Sequence, residues 1–358
     1  MEYYKHRLYL KEIQQIAENI RKVGTFTGKT VLVTGARGLI GSEIVDVLMY
    51  ANNHFAMNCK VYANIRRAVE AEKRFASYLN CNNFTLYNAD LNVDEFQIQE
   101  NVDFVIHAAS NTHPLDYAEK PIETIRTNTV GTDHILKFAV EHNCKRFLFL
   151  SSVEVYGKNR GNTEIFAEDD CGDIDCNTLR AGYPESKRTG EALCRAYHTE
   201  KKLDYVIARL ARCYGPGLLP QDTKAVSQFL KRATCRNDII IKSEGKQYYS
   251  YVYAADAADA VLFLAGYGEN GEAYNIKGKD SDITLHRLAE MAAGWAGTKV
   301  VYRQPEKKEA AGYSRAEKAI LNEQKIRKLG WRAKFSLEKG MERTLRMRTE
   351  RSDDLNEI

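Results

Sequence analysis

Short runs of β-branched and aromatic residues recur along this chain, separated by longer stretches in which apolar residues return every three or four positions. Residues 30–34, 60–65, 84–87, 102–107, 146–151 and 204–209 form the short runs, and their length and composition predict strands. Ile44, Val45 and Leu48 begin the helical spacing that follows the first of them. Strand alternating with helix predicts an α/β fold, a parallel sheet with helices on both faces. Upstream, Leu8, Leu10, Ile13, Ile16, Ile20 and Val23 fall near helical spacing, which predicts a helix that precedes the sheet and packs outside its core. Past residue 212 shorter strands and helices mix without a Ser/Gly/Pro-rich linker. A second lobe is therefore expected to be built from insertions rather than tethered. The expected organisation is a helical extension over 1–27, a sheet core mainly over 28–212, a smaller mixed α/β lobe mainly over 213–345 with returns to the core, and a charged, flexible tail over 346–358.

The first strand runs into Val31-Leu-Val-Thr-Gly-Ala-Arg-Gly-Leu-Ile-Gly-Ser42, whose glycines 35, 38 and 41 are separated by two residues each. Strand, tight turn and helix in this order predict a Rossmann-type, doubly wound sheet with a dinucleotide cradle. Gly35 permits the turn, Gly38 lets backbone approach a pyrophosphate, and Gly41 lets helix pack closely on strand. Arg37, Leu39 and Ile40 complete the turn and the first helical residues, whose amides would face the phosphates. Glycines that merely close a strand-to-helix turn are the alternative.

Downstream, Tyr183-Pro-Glu-Ser-Lys187 places a phenol and an ammonium one helical turn apart, so both project from one face. A free tyrosine titrates near pH 10, and a neighbouring ammonium and a nicotinium ring would favour its phenolate. Together, cradle and pair point to proton and hydride transfer.

Composition narrows the partners. The 358 residues carry a net charge of only +4, with 52 Lys and Arg spread among 48 Asp and Glu, which does not imply a nucleic-acid partner. No apolar run approaches the roughly 20 residues that span a bilayer, and residues 1–30 are amphipathic, so neither a membrane partner nor a leader is expected. The eight cysteines show no CxxC and no zinc spacing. Reduced thiols, a cytoplasmic location and no metal are the expectation.

With the glycines, the Tyr-x-x-x-Lys pair and Ser151-Ser-Val-Glu-Val-Tyr-Gly157 in order, the chain resembles the extended short-chain dehydrogenase/reductases, and within them the NAD-dependent epimerase/dehydratase family of nucleotide-sugar epimerases, dehydratases and UDP-glucuronate decarboxylases. The resemblance runs from about residue 28 to 345 and takes in Asn88-Ala-Asp-Leu91, His107-Ala-Ala-Ser110, Asn128-Thr-Val-Gly131, Arg209-Leu-Ala-Arg-Cys-Tyr-Gly-Pro216 and Leu329-Gly-Trp331. It implies that Tyr183 takes a sugar hydroxyl proton as hydride leaves the same carbon, that Ser152 hydrogen-bonds that hydroxyl, and that Lys187 holds the nicotinamide ribose. Asp90 and Leu91 match the loop at the adenine, Ala108 and Ala109 the loop under the cofactor, and Asn128 the central helix. A small-molecule nucleotide sugar as substrate and a homodimer through helices around 115–142 and 183–200 follow from the same resemblance.

Further residues bear on the reaction. Glu154 occupies the place of a catalytic or site-lining glutamate in dehydratases and decarboxylases, but Val153 stands where typical 4,6-dehydratases carry an aspartate, so standard dehydration loses its acid. Glu154 acts on a keto intermediate or plays a hydrogen-bonding structural part. Arg180 meets a substrate carboxylate or hydroxyl, or forms a salt bridge. Arg212 lies where many relatives have asparagine near the sugar diphosphate, while Tyr249 replaces a diphosphate-binding arginine. Ser110 completes the candidate substrate contacts.

NAD is the expected cofactor, although Ile65 ends the second strand where an acidic residue would bind the ribose 2′-hydroxyl. Arg66 follows it, as in relatives that accept NADP, or else it stacks on adenine or faces solvent. The leading expectation is transient hydride transfer on a nucleotide sugar, of 4-epimerase or decarboxylase type. An NADPH-dependent reductase of a sugar phosphate or sugar nucleotide and a non-catalytic dinucleotide-binding regulator stand as alternatives.

Overall fold

The computed structural model describes residues 2–93, 96–112, 114–158, 164–305 and 316–350. In chain order the strands are β1 Thr30–Thr34, β2 Lys60–Ile65, β3 Phe84–Asn88, β4 Phe104–His107, β5 Arg146–Ser152, β6 Tyr205–Leu210, β7 Arg212–Tyr214, β8 Ile239–Ile241, β9 Tyr248–Tyr253, β10 Ala273–Ile276, β11 Asp282–Thr284, β12 Val300–Tyr302 and β13 Lys318–Ala319. The helices that matter below are α1 Arg7–Val23, α2 Leu39–Phe55, α3 Ala68–Arg74, α4 Pro114–Glu119, α5 Pro121–Asn128, α6 Val130–Glu141, α7 Gly182–Lys201, α8 Ala225–Thr234, α9 Ala254–Tyr267 and α10 Leu285–Ala296.

Seven strands form one sheet in the order β10-β6-β5-β4-β1-β2-β3, and every pairing in it is parallel. Alternate strand residues face opposite layers. Val31, Val33, Ile106, Leu148 and Leu150 pack in the core beneath α2 and α9, whereas Leu32, Val105, Phe147 and Phe149 pack in the core beneath α6 and α7. A sheet covered on both faces accounts for the nearly continuous apolar runs. The order reverses between β1 and β4, and a crevice opens beyond their carboxyl ends, where ligands of such sheets bind.

The amphipathic α1 lies on α2 and α9 as an added layer, burying Tyr9, Ile13, Ile16, Ala17 and Ile20. Gly24 ends it in the left-handed conformation at φ 72°, a common helix stop. Its buried Glu12 accepts from the Tyr253 hydroxyl at 3.1 and 3.0 Å and pairs with Arg343 of the last helix. That last helix, Leu337–Thr349, continues past the expected start of a flexible tail at 346. Leu345 and Met347 are buried, and Arg348 donates to the carbonyls of Pro216 and Leu218; residues 351–358 lie outside the described residues.

Beyond the large sheet, β9 is the centre of a smaller one, paired with β11, β13 and β7, and β8 pairs with β12. This second layer of strands and α8 faces the crevice from the other side.

Candidate active site

A cavity of about 500 Å³ joins the glycine turn to the small sheet, lined by Gly38, Leu39, Ile40 and Gly41 at one end and by Arg212, Arg232, Lys242 and Tyr249 at the other. Ser152, Glu154, Arg180, Tyr183 and Lys187 line it between them.

The glycine turn divides its work by position. Gly35 sits at φ 63°, and a Cβ there would lie 2.7 Å from the Ala109 backbone. A Cβ on Gly41 would lie 2.5 Å from the Gly35 carbonyl oxygen. Both glycines therefore pack backbone on backbone within the turn and against the β4 loop. Gly38 is different: its φ is −68° and a Cβ would meet only the Gly35 oxygen, at 3.1 Å. It caps α2 without a side-chain hydrogen bond, leaving the first-turn amides turned to the cavity as an anion site. The cradle fits a dinucleotide pyrophosphate.

At the end of β2, Arg66 is exposed, the solvent-facing reading of the three the sequence offered, and pairs with Glu123 at 2.8 Å and Asn111 at 3.3 Å. Arg37 pairs with Glu70 at 2.7 Å. Asp90 accepts from the Asn92 amide at 2.9 Å, and Leu91 is buried against α6, its carbonyl bound to His134.

Ser152 ends β5 and caps a single 3-10 turn, its Oγ accepting from the Glu154 amide at 3.3 Å. Tyr183 lies in the first turn of α7, where Pro184 is tolerated. Burial pushes its phenol up to about 12, against which a hydrogen bond with Ser152 acts. Lys187, one turn on, is buried and brought down to about 8 by that burial. Its Nζ donates to the Leu150 carbonyl at 2.8 Å, so in this structure its charge is tied to β5.

Glu154 is gripped from two sides, by Arg180 at 2.7 Å and by Arg212 at 3.2 Å. Burial raises its pKa, but the two guanidinium groups outweigh that and hold it below the usual carboxylate range. Arg180 thus forms the salt bridge of its two sequence readings, and Arg212 joins the same cluster. The Arg212 guanidinium carbon sits 3.4 Å from the centre of the Tyr249 ring, and the Tyr249 hydroxyl donates to the Ala316 carbonyl at 2.6 Å.

Two features escaped the sequence reading. Tyr117 of α4 stacks on Tyr183, ring centroids 4.6 Å apart and planes at 20°; nothing in its local sequence marks that distant contact. The second is a buried chain of hydrogen bonds. Thr132 Oγ1 donates to the Asn128 carbonyl at 2.8 Å, so it accepts from His107 Nε2 at 3.1 Å. His107 Nδ1 then accepts from Thr34 Oγ1 at 2.7 Å, which accepts from the Ala109 amide at 3.3 Å. Burial brings His107 down to about 3, in keeping with the neutral tautomer this chain requires. Asn128 continues it, accepting from Ser110 at 2.7 Å and donating to Ser186 at 2.9 Å, which donates to the Tyr183 carbonyl at 2.9 Å. The strand before the cradle and the helix carrying Tyr183 are thereby held in one register.

Comparison with known proteins agrees with this geometry. The family model for the NAD dependent epimerase/dehydratase family matches residues 31–276. UDP-glucuronic acid decarboxylase 4 of Arabidopsis thaliana is 30% identical over 73% of this chain and 56% of its own length, so the chain spans a little over half of that relative. An epimerase from Methanothermobacter thermautotrophicus superposes with a TM-score of 0.77 at 23% identity, covering 92% of this chain and 95% of that one. A UDP-glucuronic acid 4-epimerase from Bacillus cereus, solved with UDP-glucuronic acid and NAD, superposes with a TM-score of 0.75 at 21% identity, covering 89% and 98%. A matched segment that spans cradle, serine, tyrosine and lysine alike leaves one assignment: the chain belongs to the NAD dependent epimerase/dehydratase family.

Proposed function

We propose that the protein is a nucleotide-sugar enzyme that oxidises its substrate at a sugar carbon, most simply C4, rearranges the resulting ketone and returns the hydride, by 4-epimerisation or by decarboxylation. Gly38 and the first turn of α2 would hold NAD, which would supply the hydride acceptor. Tyr183 receives the hydroxyl proton with Ser152 holding the same oxygen. Lys187 and Asn128 position the helix and loop that carry this pair.

The observation that carries the choice of reaction is Glu154 between Arg180 and Arg212. Elimination of a hydroxyl needs an acid, and this carboxylate is held ionised, while Val153 occupies the neighbouring position. Dehydration lacks its proton donor. Decarboxylation needs none at that point: with a ketone at C4, the electrons of the C5–C6 bond move onto the ketone oxygen, CO2 departs, C5 takes a proton from solvent water, and hydride returns to C4 as Tyr183 gives its proton back to the C4 oxygen. The likeness to the Arabidopsis decarboxylase supports this branch.

We also propose a homodimer, supported by the outward-facing Ile122 and Ile125 of α5 and Leu179 beside α7, and a cytoplasmic location, supported by eight cysteines without a disulfide. The reaction is tested by incubating the purified protein with UDP-, GDP-, CDP- and dTDP-linked sugars and uronic acids, with products read by mass spectrometry. An isomer, or a product lighter by CO2, without net cofactor consumption is expected. Net consumption of NADPH would favour the reductase, and binding without product the regulator.

A further inference from the structure

We propose that Arg212 is a receptor for an oxyanion of the substrate, held in position by the ring of Tyr249; this rests on the nucleotide-sugar reading. Among the described residues, the buried side-chain atoms without a hydrogen-bond partner belong to His6, Glu43, Arg74, Asn92, Arg212 and Ser227. Of these residues only Arg212 lines the cavity, and the partnerless atom is its Nη1. Other cavity cations are engaged: Lys187 with the Leu150 carbonyl, Lys224 with Asp222, Arg232 with the Asp238 carbonyl and Arg180 with Glu154.

The fold explains how Arg212 is aimed. It begins β7, which pairs in parallel with β9 so that Arg212 stands opposite Tyr251. Tyr249 lies two residues earlier on β9 and therefore on the same face. Around Tyr249 that strand is flanked by β11 on one edge and β13 on the other, and the Tyr249 hydroxyl is anchored on Ala316. A guanidinium lies flat on such a ring by cation–π attraction. With Nη2 on Glu154 and its central carbon over the Tyr249 ring, Arg212 keeps Nη1 for a ligand. Glu154 is shared between Arg180 and Arg212, and a buried donor such as Arg212 Nη1 without an acceptor is costly until a ligand supplies one. A carboxylate on the sugar and a phosphate of the diphosphate share the required chemistry, a planar or tetrahedral oxyanion suited to a guanidinium edge.

The test uses the NAD-loaded full chain with Tyr183→Phe to stop turnover, and calorimetric binding of UDP-glucose and UDP-glucuronate. Arg212→Asn should weaken binding about ten- to a hundred-fold while NAD affinity, the control for folding, stays within twofold. Equal loss for both ligands identifies a phosphate as the oxyanion, and loss for UDP-glucuronate alone identifies the carboxylate; either supports the proposal. Tyr249→Ala should lose affinity in parallel with Arg212→Asn; parent-like affinity of Tyr249→Ala would overturn the part given to its ring. Unchanged affinity of Arg212→Asn for both ligands overturns the proposal and leaves the nucleotide-sugar reading standing. Failure of the parent to bind either ligand overturns that reading, and this inference with it.

Discussion

The ring of Tyr117 lies nearly parallel to that of Tyr183, 4.6 Å away, and the guanidinium carbon of Arg180 stands 5.5 Å from the centre of the Tyr117 ring. The Tyr183 phenol, the proposed proton acceptor, is thus held by its face. Such stacking contributes about 0.5–1.5 kcal/mol beyond area burial. Tyr117→Phe keeps the stack and should retain turnover within about threefold, whereas Tyr117→Leu should lower kcat about tenfold without changing NAD affinity. Equal kinetics for the two variants would show that ring orientation does not depend on Tyr117.

Removing the phenol oxygen itself is a stronger intervention. Tyr183→Phe should lower turnover by about two orders of magnitude or more, the range of general-base contributions, with dinucleotide binding retained. Steady-state kinetics and fluorescence titration with NAD check both halves.

The glycines separate folding from binding. Gly35→Ala and Gly41→Ala must displace backbone at 2.7 and 2.5 Å, so both should lower Tm and NAD affinity together. Gly38→Val meets only one carbonyl at 3.1 Å and has an ordinary φ, so it should cost little in Tm while abolishing NAD binding, because its side chain enters the space of the pyrophosphate. Native NAD affinity in a folded Gly38→Val protein would show that the cradle is elsewhere.

On α2, Glu43 is buried, with Oε1 lacking a partner among the described residues. Burial, then Glu12 and Asp46, raise its pKa well above the ordinary 4.5. The folded state therefore favours the protonated acid. Its contribution is fully present below pH 4.5 and is lost as pH rises from there through the folded pKa, because the unfolded chain ionises first. Glu43→Gln removes that dependence. Its Tm should exceed the parent's at pH 8, with the difference shrinking toward pH 5; a constant difference would mean that Glu43 does not carry the proton.

How legible was this in the sequence? β1 and β2 have the bounds their apolar runs suggested, because both faces of a parallel sheet demand such runs. β4 starts two residues later, at Phe104, since Asp103 turns its carboxylate to the Thr30 amide and Lys145. Tyr183, Lys187 and Gly38, read from spacing, and Ser152, read from the resemblance, come to one cavity. Arg66 on Glu123, Tyr117 on Tyr183 and Arg212 on Tyr249 were not legible. Each joins segments distant in the chain, and a charged or aromatic residue carries no local mark of such a partner. The same holds for residues 346–349, whose charge suggested a tail but whose arginines reach Glu350 and the carbonyls of Pro216 and Leu218.

The central claim is that hydride leaves the sugar and returns to it within one active site. UDP-glucuronate carrying deuterium at C4, turned over many times by the purified holoenzyme without added cofactor, tests it directly. The account predicts that the product, whether the decarboxylated pentose or the C4 epimer, keeps its deuterium at C4. Loss of the label to solvent, or its appearance in a stoichiometric amount of released cofactor, would contradict it.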